Sequence, residues 1–441
     1  MGTRIGPGTL LLLAMLVVCR ADAQVIEGRP RPTVGPFAER VQGGRNRPGQ
    51  VLLLTLNVGG GYDESLDPLD QLGPVDRFTL PDSGYAIAAS ARVDYRKGTL
   101  TKYFTTFGRV YHTRAETAAG QPIGGNADVE FGVPIGRKNG FTAGAGASYV
   151  PTYLFNAYTP LEAQLPEGTP APVQGPTQGI TEQRWIASQG FAGLFRNWTP
   201  RQRTMVQYES SRRETTQGLS QETRTQYGSV RHQWSPLQSL QLQFGYKYGD
   251  FRVDQVLSGA PLHSHTADGS VRLIRRMSPT RNMSFSFGGG VTSAETVSSL
   301  QVVSSTSALP TAFGGMQVDL NRTWSVGVDL RRDVTTLDSL APQAYATNAV
   351  AGRVGGMIGN RTELAFSWSS SYGSADTGSF ETRTGIGQVQ YMLMRSAAVF
   401  AAYTYYQHRL ENIALIQAEL PRRYTLSSIR FGVTLWLEPL S

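Results

Sequence analysis

The chain has a single cysteine, Cys19, among 441 residues. A small secreted fold stapled by disulfides needs several, so that class is excluded. Long apolar runs are missing too. The longest is 9–18 (TLLLLAMLVV), about half of the roughly 20 residues that a membrane-spanning helix requires. Lysine is scarce: of 41 basic residues only Lys97, Lys102, Lys138 and Lys247 are lysines. The basic residues scatter along the chain and form no patch, which argues against nucleic-acid binding. Mean hydropathy is low, −0.24.

What the chain does have is 18 Phe, 19 Tyr and 6 Trp, with 49 Gly and 24 Pro. So many aromatics fit poorly with disorder. The apolar run at 9–18 follows Arg4 and precedes Ala21-Asp22-Ala23, a small-x-small cleavage site. Residues 1–23 therefore read as a secretory signal peptide, with the mature chain starting at Gln24. Cys19 would leave with it, removing thiol chemistry and cysteine-metal sites. A lipoprotein reading of Leu16-Val17-Val18-Cys19 is disfavoured by Val18, where a small residue is expected. Residues 24–49 are rich in Pro, Gly and Arg and read as a linker. Residues 50–441 form the folded unit.

From Gln50 onward the dominant period is two. Gln241 to Tyr248 (QLQFGYKY), Asn282 to Phe287 (NMSFSF) and Ser428 to Leu437 (SIRFGVTLWL) alternate polar and apolar residues. This is the pattern of strands with one apolar and one polar face. The alternating segments are long enough to cross a bilayer on a tilted strand, which takes about 9–11 residues. Short turns near 96–98, 137–140, 198–200, 234–236, 277–279, 321–322, 359–360 and 395–396 alternate with longer polar loops, the largest at 156–181. The count is 18 strands, bounded between 16 and 18, from a first at 50–61 through a tenth at 266–276 to a last at 422–437. An even number places both termini on the short-turn side.

These observations predict an all-β fold, a transmembrane antiparallel up-and-down β-barrel. A barrel of that size is too wide for side chains to fill. An apolar face turned inward would line an unfilled hole. Apolar residues facing lipid and polar residues facing a wet lumen satisfy both sides, and closure pairs every backbone group, as hydrocarbon demands.

Two segments carry a family resemblance. Arg430-Phe431-Gly432-Val433-Thr434-Leu435-Trp436-Leu437 resembles the C-terminal assembly signal of bacterial outer-membrane β-barrels, with Gly432, Leu435 and Leu437 at its matching positions. The family signal ends on an aromatic residue, whereas here Glu438-Pro439-Leu440-Ser441 follow. Leu54 to Ser65 (LTLNVGGGYDES) resembles the first strand of β-barrel porins encoded beside polysaccharide-export genes. The resemblance implies an outer-membrane location and partners among outer-membrane lipids, the barrel-assembly machinery and polysaccharide-export components. It implies a porin-like channel or export conduit for small or anionic solutes or polysaccharide. A barrel occluded by loop 156–181 and serving a structural, adhesion or assembly role is the alternative. A hydrolase at the external rim is the second alternative.

The inward register predicts eight pore-lining residues: Arg92, Asp94, Lys247, Asp329, Arg331, Arg353, Glu363 and Arg430. They would either bias solute selectivity or pair and keep the wall hydrated. Loop 61–82 carries Asp63, Glu64, Asp67, Asp70, Asp76 and Asp82 and reads as solvated charge. His263-Ser264-His265 falls in a predicted external loop, with no carboxylate pair to complete a metal site. No Gly-x-Ser-x-Gly elbow is present. No catalytic residue, metal or cofactor is assigned, and no enzyme activity is expected.

Overall fold

A computed structural model describes residues 49–65, 84–98, 102–115, 123–150, 185–215, 222–254, 262–278, 281–297, 304–320, 323–336, 344–375, 378–394, 396–411 and 423–440. The signal peptide, nearly all of the linker and loop 156–181 lie outside them. The described residues form 18 strands and no helix. No helix is long and apolar enough to cross a membrane, which has no bearing on a barrel.

The strands run in chain order: β1 (Gly49–Ser65), β2 (Gly84–Gly98), β3 (Tyr103–Ala115), β4 (Ile123–Ile135), β5 (Asn139–Val150), β6 (Trp185–Thr199), β7 (Gln202–Thr215), β8 (Glu222–Leu237) and β9 (Leu240–Asp254). They continue with β10 (Leu262–Ser278), β11 (Arg281–Val297), β12 (Ser304–Asp319), β13 (Ser325–Thr336), β14 (Ala344–Ile358), β15 (Thr362–Ala375), β16 (Gly378–Met394), β17 (Ala397–Glu411) and β18 (Arg423–Leu440). Each pairs antiparallel with its chain neighbours, and β1 pairs with β18, so the sheet closes. The expected all-β, 18-stranded, up-and-down barrel is the fold observed.

Closure rests on the β1–β18 ladder, which runs from Leu52 opposite Leu440 to Ser65 opposite Leu426. Gly59 stands opposite Gly432 within it. The tight turns at the opposite end from the long loops use glycine where an L side chain is strained. Gly136 has φ 72° after β4 and Gly359 has φ 64° after β14.

Alternation sorts the two faces. Val58, Ile87, Val110, Leu194, Val206, Val230, Phe244, Phe287, Leu330, Phe366, Tyr403 and Phe431 point outward and are exposed. Exposed apolar side chains on nearly every strand cannot be a soluble surface, where patches above a few hundred Å² are rare. Aromatic residues mark both rims of this belt. Trp198, Trp234 and Tyr391 stand toward the short turns, and Tyr62, Tyr85, Tyr248 and Tyr372 toward the long loops. Aromatic girdles of this kind flank the apolar band of transmembrane barrels.

Many strand boundaries differ by a few residues from those read in the sequence, and two of the differences reassign candidate residues. Strand β1 continues to Ser65 and takes in Asp63, and β10 begins at Leu262 and takes in His263 and His265. Strand pairing persists past the point where apolar residues stop marking it. His263 and His265 therefore belong to a strand, not to a loop.

Candidate functional site

The inner wall is the surface the fold sets apart. All eight residues expected on it have the inward parity, opposite to the exposed apolar set. Most have a partner of opposite charge. The Arg92 guanidinium donates to both oxygens of Asp94, two residues along β2, at 2.7 and 2.8 Å. Arg331 donates to Asp333 on β13. Arg353 on β14 lies beside Gly327 of β13, where an added Cβ would stand 2.6 Å from its Nε. Its charge acts on Asp329 of the same neighbouring strand. Arg430 donates to Asp63 at 2.5 Å, with both side chains about nine-tenths buried. That pair bridges β18 and β1, so Asp63 acts at the closing seam and not as solvated loop charge.

Lys247 on β9 sits with its Nζ 3.5 Å from the centre of the Tyr227 ring on β8. The charges acting on it come from Glu209 of β7, Arg231 of β8, and both Arg331 and Asp333 of β13. Glu363 faces inward near the short turn of β15, opposite Gln390. The eight residues thus form several separate pairs around the wall and do not converge on one centre.

The wall itself has two characters. Over β16, β17, β18 and β1 most inward side chains are buried, including Phe380, Thr382, Gln390 and Ser428. Near the short turns this sector ends in an apolar cluster of Leu53, Ala398 and Trp436, joined by Met357 of β14, with Met392 against it. Over β6 to β13 most inward side chains are at least partly accessible, with Gln189, Ser211 and Phe313 exposed, although Thr225 and Thr292 are buried. Among the described residues, the inward-facing charged side chains that stay exposed are Arg231, Arg272, Arg276 and Arg331. The inward acids Glu209, Asp268, Asp329 and Asp333 are less exposed, Asp333 at 31% beside Arg331 at 41%. The exposed charge along this sector is therefore that of guanidinium groups.

Arg231 and Arg272 escape a sequence reading. Arg231 is followed by His232, and Val271-Arg272-Leu273-Ile274-Arg275-Arg276 breaks the alternation, so parity cannot be assigned from either segment alone. The ladder settles it: Arg231 pairs with Gly245 and Arg272 with Ser286.

Four histidines, His112, His232, His263 and His265, sit on the outer face by parity. His265 Nδ1 meets the Tyr246 hydroxyl at 2.7 Å, and His263 Nδ1 meets the Tyr248 hydroxyl at 3.2 Å. The side chain of His408 lies outside the described residues. Among the described residues no three His, Cys, Asp or Glu side chains come together as a metal site. In the segment resembling an assembly signal, Gly432 faces inward beneath the Phe400 ring. Leu435 and Leu437 face outward and are exposed.

No family model matches the chain, and no curated protein does. Among solved structures, the chain is similar to OccAB4 of Acinetobacter baumannii, with 9% identity over 88% of this chain and 98% of that one, at a TM-score of 0.44. It is similar to OpdQ of Pseudomonas aeruginosa, with 8% identity over 89% and 98% and a TM-score of 0.43. It is also similar to the FrpB iron transporter of Neisseria meningitidis, with 7% identity over 91% and 83% and a TM-score of 0.43.

Proposed function

We propose that the chain is an outer-membrane channel for small hydrophilic solutes that favours anions. The observation that carries this reading is the exposed arginine set of the inner wall, Arg231, Arg272 and Arg331, on strands whose acids are less exposed. A low-dielectric wall focuses the field of such groups into the water they border. The outward apolar belt supplies the membrane, and the polar interior supplies the wet path. Export of polysaccharide is a larger-solute version of the same reading, and the accessible wall is where such a chain would run.

The test is the reversal potential of single channels across a KCl gradient. The reading expects a displacement toward the chloride equilibrium potential. In R231Q/R272Q/R331Q that displacement shrinks toward zero while the channel still opens. A wild-type reversal potential at zero, or displaced toward potassium, overturns the anion preference.

The same reading gives β18 its place in assembly, with Gly432, Leu435 and Leu437 presented to the machinery that inserts barrels. L435D/L437D in the full chain is then expected to lower the inserted fraction in cells. Unchanged insertion counts against it.

A further inference from the structure

We propose that the outer face of β7 to β10, at the long-loop end, binds a lipid whose headgroup carries an exposed phosphate. Three arginines stand abreast there. Arg212 of β7 is directly opposite Arg224 of β8, and Arg224 is directly opposite Arg252 of β9. All three side chains are more than half exposed, at 52%, 52% and 60%. Like charges placed directly opposite one another on a sheet destabilise it, so the row calls for negative charge.

The protein supplies three acids to the three arginines, all of them bound through Nε or Nη2. Arg212 Nε lies 2.7 Å from Glu222 and its Nη2 3.3 Å from Glu214. Arg224 donates through Nε to Glu222. Arg252 donates through Nε and Nη2 to Asp250, the latter at 3.0 Å. None of these bonds uses Nη1 of Arg212 or Arg252. A planar guanidinium can bind an acid on one edge and a phosphate on another. The acids hold the forks in place and leave donors for a second anion.

The layers below the row have the order of an amphiphile. Next to Asp250 comes His263, then Tyr248 opposite His265, then Tyr246. Beneath these lie Val206, Val230 and Phe244, all exposed. Acyl chains would lie on the last group, the ester region on the Tyr and His layer, and the phosphate on the arginines. Other charged pairs on the outer face lack the row. Arg383 pairs with Glu381 and Arg409 with Glu411, and Arg409 has Arg423 opposite it on one side and Glu381 on the other, so two arginines adjoin there and an acid takes the third place. Near the short turns Arg275 stands opposite Met283 and no arginine row forms.

The inference rests on the outer face being lipid-facing. Insertion is therefore scored in the same preparation by heat-shifted gel migration and by channel openings, so a failure of that premise is seen separately. The binding experiment is native mass spectrometry of the full chain in detergent, titrated with diphosphoryl lipid A and with its dephosphorylated form. The expected result is retention of the diphosphoryl form, reduced at least about tenfold in R212Q/R224Q/R252Q and unchanged in R275Q/R281Q. Equal retention by the triple variant overturns the proposal. So does equal loss in R275Q/R281Q, which would mean charge attraction without a site. Equal retention of the dephosphorylated lipid, or displacement by inorganic phosphate at the lipid's own concentration, overturns it as well.

Discussion

Phe313 shows how the inner wall stays clear. Its ring lies against Gly288 on the adjacent strand, directly opposite it. A Cβ on Gly288 would stand 2.6 Å from the ring. Phe191 over Gly144 and Phe400 over Gly432 repeat the arrangement, at 2.5 and 2.6 Å. Glycine lets each ring lie flat on the wall, where a side chain would tilt it into the lumen. G288V should cost about 1–3 kcal/mol through overpacking against the ring and the Gly269 carbonyl and lower single-channel conductance, with conductance regained in G288V/F313A while the stability cost against the carbonyl remains. Unchanged conductance in G288V would show that the ring does not border the path. The Asp63–Arg430 pair is the second residue-scale test. D63N leaves Arg430 without its buried counter-charge and should cost about 3–5 kcal/mol, read as a lower urea midpoint for the barrel in lipid vesicles. An unmoved midpoint would contradict a role in closure. Residue parity was legible in the sequence wherever alternation was clean, as at Arg92-Val93-Asp94. It was lost where polar residues adjoin, as at Arg231-His232, because only a ladder partner can then assign the face.

Strands are the scale at which the two faces can be tested against each other. Val230 and Ser229 are neighbours on β8, one outward and one inward. V230R would place a charge against lipid and should cost about 2–4 kcal/mol if it lies near the bilayer midplane. S229R enters the hydrated wall and should be tolerated, with conductance altered and stability kept. Equal cost at the two positions would contradict the assignment of faces. At the long-loop end of β8, outside the apolar belt, the Glu222 carboxyl is held below its ordinary value. The hydrogen bond from Arg224 is the largest cause, opposed by partial desolvation and aided by the charge of Arg212. A lowered folded value means that its contribution is present above the ordinary carboxylate range and is lost as pH falls through the folded value. Lipid retention by the arginine row should therefore rise only as pH falls through that lowered value, below the ordinary carboxylate range, where Glu222 releases Arg212 and Arg224, for as long as the lipid phosphate stays charged. Retention that falls there in step with loss of Glu222 charge would contradict this. The number of strands was legible from alternation and turn spacing. Their ends were not, because β1 and β10 keep pairing beyond the apolar belt through Asp63 and through His263 and His265.

At the scale of the whole molecule, 18 strands close on themselves with apolar residues out and polar residues in. That arrangement explains the low mean hydropathy, since half of each strand faces water. It also divides the lumen into a buried sector over β16 to β1 and an accessible sector over β6 to β13. The division was invisible in the sequence, because residues such as Thr382 and Ser211 have the same inward parity and comparable polarity. Only the closed wall separates buried from wet. The central claim is that the accessible sector is a continuous aqueous path across a membrane. Single-channel recording of the purified, folded barrel in planar bilayers tests it most directly. The account predicts stepwise, ohmic current increments as barrels insert. Barrels that insert, shown by heat-shifted migration from the same bilayer lipids, and yet pass no current would contradict it.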